Sequence, residues 1–74
     1  MIERYFAKVE IGKGYAGLVK IIEDTEDFGA YVYGMYSGVW KKDNYFLDAK
    51  FDTTHYDEIS KEQAHKLIAK WSND

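Results

Sequence analysis

The chain predicts an α+β fold: a meander of four to five antiparallel β-strands, free to curl towards a small barrel, with one C-terminal α-helix packed on one face. Three observations carry this. Apolar and polar residues alternate over short runs, the period of a half-buried strand. Glycine-rich or charged turns separate the runs. Near the C-terminus the period changes to that of a helix. Seventy-four residues make a single domain, 1–74.

The first strand is expected at residues 4–11, where Tyr5, Ala7, Val9 and Ile11 share one face and Arg4, Lys8 and Glu10 the other. Gly12-Lys13-Gly14 follows as a turn, because glycine takes positive φ without steric cost. Residues 15–23, with Leu18, Val19, Ile21 and Ile22 on both faces, read as a central strand. The polar run from Asp24 to Gly29 is the next turn. Residues 30–36 form a third strand by their aromatic content, and 39–41 a short fourth. After the polar loop Lys41 to Asn44, residues 45–51 alternate again, with Tyr45, Leu47, Ala49 and Phe51 on one face. The helix is expected at 61–72. Ser60 and Gln63 fit a capping box, and Ala64, Leu67, Ile68 and Trp71 form one apolar stripe. A helix this short is marginal alone and must dock on the sheet.

Composition narrows the function classes. The net charge is −3 and 31% of residues are charged, as in ordinary globular domains, which argues against a bulk nucleic-acid binder. Cysteine is absent, so disulfides and thiolate metal sites are excluded. The opening Met1-Ile2-Glu3-Arg4-Tyr5 carries no apolar run, and no apolar stretch is long enough to span a membrane. A cytoplasmic location is expected.

No motif points to an enzyme or a cofactor. Gly12 to Val19 matches G-x-G-x-x-G-x-V, but a phosphate loop of that kind needs other elements that this chain lacks, and here a strand follows the glycines. Glu23, Asp24, Glu26 and Asp27 make an acidic turn. Counted from Asp24, a calcium loop would place ligands where Phe28 and Met35 stand. A solvated turn is expected, with those four acids as a secondary partner contact. His55, Asp57 and His65 have no metal-ligand spacing, and no nucleophile–base pair is present.

Aromatic residues are the surplus: seven Tyr, four Phe and two Trp. A domain of this size hides only about 60% of the surface its unfolded chain exposes, so some rings are expected to face a partner. With one sheet face given to the helix, Phe6, Val32, Tyr36 and Phe46 would form a patch on the other, with Trp40 at its edge. The alternative is a curled sheet that hides both faces. The expected function is a small non-catalytic protein-binding domain, a regulator or inhibitor acting through this aromatic sheet face, with homodimerisation as a companion. A single-stranded nucleic-acid binder using the rings as a stacking platform is the second reading. In size and composition the chain has the look of the compact, motif-free proteins that phages and other mobile elements encode.

Overall fold

The computed structural model describes residues 2–12, 14–24, 26, 28–34 and 37–72. Five strands, β1 (Ile2–Glu10), β2 (Gly14–Glu23), β3 (Gly29–Tyr33), β4 (Trp40–Lys42) and β5 (Tyr56–Ile59), form one open sheet, followed by helix α1 (Lys61–Ser72). The sheet order is β4-β3-β2-β1-β5, and every neighbouring pair is antiparallel. The first four strands are a meander in sequence order. The fifth returns to the far side of β1. The sheet does not close into a barrel, so β4 and β5 remain edges.

Local chemistry explains most boundaries. Gly12 and Gly14 take φ of 84° and 78°, the left-handed conformation that turns β1 into β2. Ile11 lies in this turn and is fully exposed, so it is not part of the apolar face of β1. A register shift between Lys8 and Val9 adds a bulge, which increases local twist. The capping box at α1 forms in full: the Gln63 amide donates to Ser60 Oγ at 3.1 Å, and the Ser60 amide donates to Gln63 Oε1 at 2.9 Å.

The two sheet faces have separate cores. On one, Tyr5, Ala7, Leu18 and Tyr33 pack with Ala64, Leu67, Ile68 and Trp71 of α1. Aromatic contacts finish it: Tyr33 meets Trp40 edge-on at 5.3 Å and lies nearly parallel to Trp71 at 6.2 Å. On the other face, Phe6, Val19, Ile21 and Ala30 pack with Phe46, Leu47 and Ala49. This second cover is the connection from β4 to β5, which must cross the sheet because those strands are its opposite edges.

That connection corrects one expected element and adds another. Residues 45–51 are not a strand; Asn44–Lys50 is a 3₁₀ helix. The Asp43 carboxylate accepts from the Tyr45 amide at 3.1 Å, and i to i−3 bonds run from Phe46 N to Asp43 O and from Phe51 N to Asp48 O. The backbone polar groups are thus satisfied locally, with no neighbouring strand. The fifth strand is instead β5, which lies between residues 51 and 61, where the sequence pattern predicts no element. The third strand ends at Tyr33, and the fourth spans Trp40–Lys42, one position later than expected.

Candidate interaction surface

The crossover is pinned at its start. Asn44 Oδ1 accepts from the Ala30 amide at 3.2 Å, and the Asp43 amide donates to Ala30 O at 2.8 Å. A Cβ on Gly29 would stand 3.0 Å from Asn44 Oδ1 and 2.9 Å from Lys42 Cε. Glycine at that position therefore permits the close approach.

A 3₁₀ helix brings residues three apart onto one side. Phe46 and Ala49 form the inward stripe and pack on the second face. Tyr45, Asp48 and Phe51 form the outward stripe, and Tyr45 and Phe51 are 83% and 76% exposed. The six-residue step at ~2.0 Å per residue sets them ~12 Å apart. Phe28 is also exposed and joins the same end: Lys50 Nζ lies 5.1 Å from the Phe51 ring centroid and 5.8 Å from that of Phe28. Among the described residues these three rings carry the exposed aromatic surface on this side. For Tyr45 and Phe51 the sequence signal is the carboxylate cap at Asp43 followed by Tyr45, Asp48 and Phe51 at a period of three.

The residues expected to form the patch are divided. Phe6, Val32 and Phe46 do share the second face, but the crossover covers it. Phe6 is only 3% exposed, and Phe46 belongs to the cover rather than to the sheet. Trp40 lies on the opposite face, against Tyr5 and Tyr33, with Lys20 Nζ 4.7 Å from its ring. Strand alternation puts it there, since Trp40 pairs with Tyr33 and directly paired residues point to one side. Tyr36 lies outside the described residues. What remains open beside Val32 and Phe46 is a cleft of about 290 Å³ with Lys8, Val19 and Tyr56 on its walls. It exists because β2 runs on beyond the β3–β4 pair.

Of the acidic turn, Glu23 is occupied. The Arg4 guanidinium donates to both Glu58 oxygens at 2.9 and 3.0 Å and to Glu23 Oε1 at 3.4 Å, while Lys50 Nζ reaches the same Glu23 oxygen at 3.5 Å. This chain of charges ties β5, β1, β2 and the crossover together. The hydrogen bonds from Arg4 hold the Glu58 carboxyl below the usual glutamate range. Asp24 is half-buried and also engaged. Glu26 is exposed, and Asp27 lies outside the described residues. Mutual repulsion makes a cluster of acids a poor free patch, and among the described residues Glu23 and Asp24 find partners instead.

His55 turns to Asp52, with Nδ1 at 3.0 Å from its carboxylate, and that hydrogen bond holds Asp52 below its ordinary value. Asp57 accepts from the Tyr15 hydroxyl at 3.1 Å, which pushes the Tyr15 phenol up. His55 and Asp57 thus have separate partners, and no group of three potential metal ligands converges among the described residues.

Fold and surface together define a small α+β domain whose open antiparallel sheet is covered by a helix on one face and a 3₁₀ crossover on the other. No protein-family model, no curated protein and no solved structure matches the chain. No helix among the described residues is long and apolar enough to cross a membrane.

Proposed function

We propose that this protein is a small non-catalytic protein-binding domain, a regulator or inhibitor that occupies a partner's surface, and that the outer ridge of the crossover makes the contact. One observation carries the reading: Tyr45 and Phe51 stand 83% and 76% exposed on an element whose other side is fixed to the core. With Phe28 they present roughly 400 Å² of ring surface, at the level of the largest apolar patch of a typical monomer. Rigid aromatic side chains are the commonest energetic anchors of protein interfaces.

The partner is a different protein rather than a second copy. A two-fold contact centred on the ridge would bring Asp48 against its own copy, and opposed like charges cost free energy. Single-stranded nucleic acid is also disfavoured, since Asp43, Asp48 and Asp52 border the exposed rings and repel phosphate. Absence of cysteine is compatible with a cytoplasmic location.

The test begins with a photo-crosslinking residue placed at Tyr45 in cells, with Ile11 as the control position. The captured protein is then purified and titrated with the wild type and with the Tyr45→Ala/Phe51→Ala variant. Loss of two anchors should weaken binding by about a hundredfold or more. Equal affinities, or no capture beyond that at Ile11, would remove the ridge as the contact.

A further inference from the structure

On the helix side of the sheet, remote from the ridge, a groove of about 260 Å³ runs between α1 and the sheet, lined by Tyr15, Ile59, Gln63, Lys66, Leu67 and Lys70. Ile59 and Leu67 are half-buried members of the helix-side core and form an apolar floor. Lys66 and Lys70 form the helix lip. Both are exposed, and neither has an ion pair among the described residues. Glu62, four residues before Lys66 and thus well spaced for a helix pair, does not make one. On a chain of net charge −3, this lip is a local concentration of unmatched positive charge.

The opposite wall has the other sign. Tyr15 closes it, and its hydroxyl holds the Asp57 carboxylate at 3.1 Å. A ligand in this groove therefore meets ammonium groups on the helix side, an apolar floor, and a wall that repels acids. We infer that the groove binds an extended acidic segment of another protein, with the pattern acid–apolar–acid. The spacing fits. Residues i and i+4 of a helix stand about 5–6 Å apart at Cβ, and alternate residues of an extended chain are about 6.6 Å apart on the same side. Two carboxylates at i and i+2 can face Lys66 and Lys70 while the residue between them points to Ile59 and Tyr15.

The experiment is an amide-resolved NMR titration of the full chain. The probe is an acetylated and amidated peptide, Gly-Ser-Glu-Leu-Glu-Ser-Gly, with a panel carrying each other apolar residue at the centre. At least one member should give saturable shifts at Tyr15, Gln63, Lys66 and Lys70. Replacing both acids by glutamine should abolish them, and Lys66→Glu/Lys70→Glu should weaken binding about tenfold or more. These lysines are exposed, so the variant's spectrum should otherwise remain that of the folded chain. Lys66→Gln/Lys70→Gln supplies a second, milder variant, expected to lie between the two. The inference is overturned if every peptide fails at millimolar concentration, or if charge reversal leaves binding intact. It is equally overturned if a short oligothymidylate or an anionic phosphatidylserine vesicle occupies the groove in place of the peptides. Ridge binding is independent of all these outcomes.

Discussion

Phe6 and Tyr45 are both aromatic residues, and their environments are opposite. Phe6 is 3% exposed beneath the crossover, and Tyr45 is 83% exposed on top of it. Phe6→Ala removes a packed ring and leaves a cavity, a loss of ~3–5 kcal/mol. Tyr45→Ala removes little buried surface and should stay within ~0.5 kcal/mol of the wild type. Urea midpoints at equal slope would measure both, and equal losses would contradict the placement of the crossover. Tyr5 supplies a pH test. Burial, and then its hydrogen bond to Glu3, push its phenol up to about 12, against ~10 in an unfolded chain. The folded state keeps the proton, so this contribution is full below pH ~10 and is lost as pH rises towards the folded value. Tyr5→Phe should flatten that alkaline decline in stability. Tyr15 and Tyr56, also raised, leave a remainder.

At the scale of elements, legibility followed locality. Helix α1 was readable because its cap and stripe are set within a few residues of sequence. Ser60→Ala should cost about 1 kcal/mol, whereas Glu62→Gln, which has no ion pair to lose, should change stability by less than ~0.5 kcal/mol; chemical denaturation separates them. The crossover reads as a strand in the sequence for a geometric reason. Positions 45 and 51 are six apart and in phase under a period of two or of three. Only the interior positions discriminate, where Leu47 is half-buried and Asp48 exposed. The patch residues inherited that error, since a strand at 45–51 would have left Phe6 and Val32 uncovered. Strand β5 was invisible for another reason. Its four residues include two acids, and what fixes it is distant: Glu58 is bound to Arg4 across 54 positions. No local period encodes such a contact.

At the scale of the molecule, both faces of the sheet are engaged in internal packing among the described residues, which leaves the ridge as the exposed apolar feature on the crossover side. A two-fold contact centred on the ridge would set Asp48 against its own copy. Light scattering across a range of concentrations should therefore give the monomer mass; a stable dimer would refute this charge argument and return the ridge to homodimerisation. The position of β1 inside the order β4-β3-β2-β1-β5 has a consequence in time. β1 is synthesised first, and β2 can pair with it at once, but its other side waits for a strand that begins at residue 56. At ~5–20 residues per second, that wait is on the order of a few seconds on the ribosome. During it Phe6 has no cover and one backbone edge of β1 is open to other nascent chains. Arg4 and Lys8 punctuate that edge with charge, a defence suited to this interval, and Arg4 takes its place against Glu58 only when the last strand arrives.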